Sequence, residues 1–188
     1  MYNNFRNSSI PIPMSFVGYA TKAVLILEFS PTIISVVLAG KVGSYITSSI
    51  GTMRVTEQID ALDIMGVNSA NLLILPKILA SLVFNPLLIA ISIVFGIWGG
   101  YLAGIGTGSW SAADYITGIQ MYMPSHFIWY AFFKTAVFAF LIATIPAYFG
   151  YNVKGGSLEV GRASTQAVVW TIVAVIITNL VLTQMFLS

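Results

Sequence analysis

Two ionisable residues stand inside stretches otherwise nearly free of charge, Glu28 and Lys134. An acid and an amine so placed suit an ion pair or recognition of a charged headgroup. A charge at the centre of a membrane helix costs ~2.5 kcal/mol or more to insert, so it usually faces a cavity or a partner. Glu28 and Lys134 are therefore read as cavity-lining, with Lys134 suited to a phosphate. They could also pair with each other, and Glu28, near its helix end, could instead snorkel to the interface. Asn179 is a weaker polar candidate, equally suited to an interhelical hydrogen bond. His126 stands at a membrane edge beside Pro124 and Ser125, with Tyr122, Trp129 and Tyr130 reading as an interfacial aromatic belt.

Other chemistry lacks its parts. With no cysteine and one histidine, thiolate and histidine metal sites and nucleophilic triads have little to work with. No phosphate loop is present, since Gly40-Lys41-Val42-Gly43-Ser44 lacks the spacing. No nucleophile elbow and no His-Glu-x-x-His occur. The expectation is no catalytic residue, no metal and no cofactor bound by this chain. An intramembrane enzyme built on Glu28, Lys134 and His126 is the rival from another class.

The most polar segment reads Thr52-Met53-Arg54-Val55-Thr56-Glu57-Gln58-Ile59-Asp60-Ala61-Leu62-Asp63-Ile64-Met65-Gly66. Val55, Ile59 and Leu62 recur at the spacing of one helical face. Arg54, Glu57, Gln58 and Asp63 fall mainly elsewhere. Thr52 can cap the start, Arg54 can pair with Glu57 at i,i+3, and Gly66 is a natural stop. The segment predicts an amphipathic helix of about four turns, too polar to span. One arginine against Glu57, Asp60 and Asp63 gives −2, which anionic lipid repels. A cytoplasmic protein with a groove fits better.

These residues must be held by apolar elements. The 188 residues are 57% hydrophobic and 7% charged, too few charges to cover a water-facing surface. The net charge of +2 gives no footprint for nucleic acid. Runs of ~20 apolar residues predict four spans, at about 24–46, 78–105, 127–148 and 167–187. Pro86 should kink or thin the second. Gly96, Gly100 and Gly104 share one face of it, allowing close helix packing within the bundle or across a dimer. Lys41, Arg54, Lys77, Lys154 and Arg162 belong to the first and third connections, and none to the middle one. Those two connections are therefore expected in the cytoplasm, and both termini outside, with Arg6 and Lys22 as exceptions. The polar start, Met1 to Pro13, lacks the order of a secretory signal.

Two stretches carry a resemblance. Leu38-Ala39-Gly40-Lys41-Val42-Gly43-Ser44 is followed by an unbroken run from Ile50 to Leu62. Gly150-Tyr151-Asn152-Val153-Lys154-Gly155-Gly156 precedes Val160-Gly161-Arg162-Ala163-Ser164-Thr165 and Ala167-Val168-Val169. From about Tyr19 onward the chain resembles the MlaE family of ABC transporter permeases. The resemblance implies a single permease domain over 1–188, all-α and polytopic. It implies a homodimer in the bacterial inner membrane, two cytoplasmic ATPase subunits that hold the ATP and Mg, an extracytoplasmic MCE lipid-binding protein, and phospholipid moved between inner and outer membranes. It makes the polar segment the coupling helix, with Thr52, Met53, Arg54, Val55, Glu57, Gln58, Asp60 and Leu62 at the ATPase, and gives Glu28, Lys134 and Asn179 to a lipid cavity. Three departures stand out. The family's N-terminal interfacial helix and first transmembrane helix are absent from the matched region. Ser49 replaces an acidic residue, and Asn179 an aspartate. A truncated scaffold that binds the ATPase without transporting is the nearer alternative.

Overall fold

A computed structural model describes residues 15–108 and 110–187. The polar start, with Asn3, Asn4, Arg6 and Asn7, and Ser109 lie outside the described residues. The architecture is all-α and polytopic, with four helices long and apolar enough to cross a membrane among the described residues.

Helix α1, Ser15–Val55, is 41 residues long. At 1.5 Å per residue it extends about 60 Å, twice the hydrocarbon thickness, so the expected span covers only its centre. Two π turns interrupt it, at Leu25–Phe29 and Ala39–Gly43. The first has a cause in the sequence. Pro31 has no N–H for the carbonyl four residues back, and its ring crowds that carbonyl. The helix widens just before it.

The polar segment differs from its expectation. Helix α1 continues to Val55, the chain turns at Thr56 and Glu57, and α2, Gln58–Ile64, begins anew. Thr52 is therefore no cap. It lies inside α1, where its carbonyl accepts from Thr56 N–H and Oγ1–H. The break lets Ile59 reach a cluster with Ile46, Ile50, Ala143 and Ala147, where it is 0% exposed. Glu57 takes φ +60° to make that turn. Gly66, at φ +76°, ends the segment: its N–H bonds to Asp63 O and Val67 N–H to Leu62 O.

Helix α3, Ser69–Leu73, is capped by Asn68, whose side chain accepts from Asn71 N–H. Helix α4, Leu75–Thr107, runs unbroken through Pro86. The middle connection, expected as a loop, contains α5, Ala112–Gln120, capped by Ser111. Helix α6, Ser125–Tyr151, and α7, Ser157–Leu187, complete the bundle. The third connection is shorter than expected because α7 starts ten residues before residue 167, its first turns carrying the Glu159–Arg162 ion pair at 2.8 Å.

Helix α6 is the centre and packs against α1, α4 and α7. Its buried residues Ala131, Lys134, Phe138, Ile142, Pro146 and Gly150 recur every three or four positions. Helix α4 instead exposes Val83, Phe84, Leu87, Val94, Phe95 and Trp98, a surface suited to lipid. A close backbone approach lies at the other end of α1. A Cβ on Gly18 would overlap Tyr115 O, and one on Gly118 would overlap Ser15 O. Only glycine at both positions lets α1 and α5 cross there.

Candidate functional site

Three helices bring together the three polar residues assigned to a cavity. Lys134 of α6 donates to Glu28 Oε1 of α1 at 2.8 Å. Asn179 of α7 donates from Nδ2 to Glu28 Oε2 at 3.3 Å, and its Oδ1 accepts from Thr32 at 3.3 Å. Thr183 donates to Glu28 Oε1 at 2.8 Å. Because that hydroxyl has one proton, it must accept from Tyr130 (3.0 Å) and Lys134 (3.5 Å). The directions of the network are therefore fixed. Lys134 also donates to Leu27 O at 3.0 Å.

Leu27 lies four residues before Pro31. Its carbonyl has no helical donor from that residue, and the buried ammonium serves it instead. The Lys134 side chain is 0% exposed and that of Glu28 38%. The Lys134 ammonium also lies 5.3 Å from the Tyr130 ring centre and 6.0 Å from that of Phe138. Lys134, expected to meet a phosphate, is thus enclosed with three acceptors for its three N–H groups. The half-exposed member of the pair is the acid.

Sequence reasoning misses Thr32, Tyr130, Thr183 and the Leu27 carbonyl. Tyr130, taken for the interface belt, is 3% exposed and belongs to the core. The signal was spacing: Glu28 and Thr32, Tyr130 and Lys134, and Asn179 and Thr183 are all i,i+4 pairs, adjacent on one helical face. His126 is exposed at the start of α6, two turns and about 12 Å from Lys134 along the helix. The structure does not join it to Glu28 and Lys134.

The second candidate region is the segment from Thr52 to Gly66. Arg54 Nη1 lies 2.5 Å from Asp60 Oδ1, replacing the expected Arg54–Glu57 pair, and its guanidinium stands over the Tyr151 ring at 5.9 Å. Met53, Val55 and Leu62 are partly buried, while Thr52, Glu57, Gln58, Asp60 and Asp63 are exposed. Ile64 is 87% exposed, with Met65 and Val67 also outward. Together they form an acidic and apolar knob held by Ile59 at one end of the bundle.

The glycine face of α4 looks into the same chain. Gly96 lies against Leu25, Gly100 against Tyr115 and Thr21, and Gly104 against Trp110. Side chains, not a second backbone, fill the space left by the missing Cβ atoms. Tyr115 donates to Ile97 O at 3.1 Å, and burial pushes its phenol above the ordinary range. Lys22 donates to Ile119 O at 2.9 Å and Met121 O at 2.7 Å, the carbonyls at the end of α5.

Residues 6–185 match the family model described as Permease MlaE. A probable ABC transporter permease protein of Rickettsia bellii is 38% identical over 169 residues, covering 89% of this chain and 65% of that protein. A chloroplastic protein of Arabidopsis thaliana, TRIGALACTOSYLDIACYLGLYCEROL 1, is 33% identical over 85% of this chain and 45% of its own length. The intermembrane phospholipid transport system permease protein MlaE of Haemophilus influenzae is 29% identical over 88% of this chain and 64% of its own. The chain thus spans about 65% of the Rickettsia relative.

Proposed function

The chain belongs to the MlaE permease family, and from that premise we propose that it is the membrane subunit of an ABC transporter that moves phospholipid, driven by a separate cytoplasmic ATPase. The observation that carries this reading is the knob from Glu57 to Met65. It is exposed, acidic and apolar, and fixed to the bundle by Ile59 and the Arg54–Asp60 pair. A fixed knob of this kind suits a protein groove and transmits a push into α1, which continues directly into the polar cluster. The name of the Haemophilus relative supports phospholipid as cargo. On this reading two copies enclose a cavity in the bacterial inner membrane, an MCE protein meets the opposite end, and ATP binding in the partner rocks α2.

The test is affinity purification of the tagged chain in mild detergent, beside a variant with Glu57→Arg and Asp63→Arg. These two acids leave the Arg54–Asp60 pair intact. An ATPase bearing a phosphate loop should accompany the unaltered chain and disappear with the variant. A folded chain that brings down no ATPase, in cells that carry one, sinks the reading.

A further inference from the structure

We propose that the polar cluster selects its lipid through the Glu28 carboxylate, so that the headgroup taken there is the ammonium of a zwitterionic aminophospholipid rather than a phosphate. This rests on the permease reading above and adds a substrate class to it.

The hydrogen-bond inventory points this way. Lys134 has three N–H groups and three oxygens around it, at 3.0 Å on Leu27, 2.8 Å on Glu28 and 3.5 Å on Thr183. It has no exposed side-chain surface, so a phosphate reaches it only by breaking the ion pair. Lys22, the next cation along α1, is tied to the carbonyls of Ile119 and Met121. Glu28 is open by comparison. Its Oε1 accepts from Lys134 and Thr183, but among the described residues Oε2 accepts only from Asn179, at 3.3 Å. An ionised carboxylate offers about four acceptor sites, so Oε2 keeps capacity for an outside donor. The side chain is 38% exposed for such a donor to approach. Along the same helix Ala20, Thr21, Val24, Leu25 and Phe29 line a mostly apolar groove, suited to the rest of a lipid. Glu28 lies six residues, about 9 Å, below Lys22, a depth a headgroup entering from the α5 end can reach. Charge complementarity therefore favours a cationic group bearing N–H donors.

The tagged chain is equilibrated with detergent-solubilised phosphatidylethanolamine and phosphatidylglycerol in equal amounts, and the retained lipid is quantified by mass spectrometry. The expected result is an excess of phosphatidylethanolamine of roughly two- to fivefold, the range a half-exposed ion pair supports. Glu28→Gln should bring the ratio to one while phospholipid is still retained. Because that change strands Lys134, the double variant Glu28→Gln with Lys134→Met is measured beside it and should lose the preference too. Equal retention by the unaltered chain, as when a second copy covers Glu28, or an excess of phosphatidylglycerol, overturns the proposal and leaves phospholipid binding intact. A preference that survives in a folded variant also overturns it. Absence of any phospholipid from the unaltered chain overturns the permease reading as well.

Discussion

Lys134 donates to the carbonyl of Leu27 across 3.0 Å, and that carbonyl is the one for which Pro31 supplies no N–H. A proline inside a helix ordinarily leaves an acceptor unsatisfied in the membrane, where water is not at hand to serve it. Here the vacancy, the π turn at Leu25–Phe29 and the buried ammonium meet at one place. Lys134 thus reads the distortion of α1 directly. It holds α1 to α6 through one main-chain and one side-chain oxygen, and Thr183 brings α7 into the same knot.

Breaking the pair from one side should cost far more than removing it. Lys134→Met leaves Glu28 half-exposed, whereas Glu28→Gln leaves a buried cation without its counter-charge. The second should be the worse, at about 3–5 kcal/mol, and the double variant should recover much of it. Thermal unfolding in detergent of the four proteins completes the cycle. Additive single effects would show that the two charges do not interact.

The threonine should matter more than the tyrosine. Thr183 donates to Glu28 and accepts from Tyr130 and Lys134, so Thr183→Val removes three contacts and strands the Tyr130 hydroxyl. A loss of about 1–3 kcal/mol is expected. Tyr130→Phe removes one donor and leaves Thr183 its other partners, a loss of at most about 1.5 kcal/mol. The reverse order of unfolding temperatures would contradict the assigned hydrogen-bond directions.

The centres of the spans were legible because charge-free runs of that length have few other uses. Their ends were not. Helix α1 is about twice as long as the hydrocarbon layer is thick, and its polar end at Thr52 to Val55 reads locally like the start of a new helix. Only burial of Ile59 against α6 fixes the break, and that is a tertiary fact. Glu28, Lys134 and Asn179 stood out because ionisable and amide groups are rare in apolar helices. Thr32 and Thr183 did not, since threonine is ordinary there. Pro31 lay in plain view three residues after Glu28, but its consequence required knowing which side chain packs over Leu27.

Glu57 sits at φ +60°, where a side chain costs about 1–2 kcal/mol and glycine almost nothing. Glu57→Gly should therefore raise the unfolding temperature slightly, and Glu57→Val should lower it. If Glu57 also faces a partner, the glycine variant becomes more stable yet binds the ATPase less well. Parallel loss of stability and binding in the glycine variant would contradict the turn geometry.

The orientation can be measured without first removing any reactive residue, because the chain has no cysteine. Lys41, Arg54, Lys77, Lys154 and Arg162 belong to the end carrying the first and third connections, so that end is expected in the cytoplasm. Lys22 is the described cation at the opposite end. It does not offset this bias freely, because its ammonium already lies against the terminal carbonyls of α5. Single cysteines at the exposed positions Tyr122 and Ser157 should then react oppositely with a membrane-impermeant maleimide. In intact cells with the outer membrane opened, Tyr122→Cys should label and Ser157→Cys should not. In inverted vesicles the pattern should reverse. Labelling of Ser157→Cys from outside would invert the topology and remove α2 from the reach of any cytoplasmic ATPase. Lys22→Gln should leave the pattern unchanged and loosen α5, since the cation acts on two carbonyls rather than on the membrane.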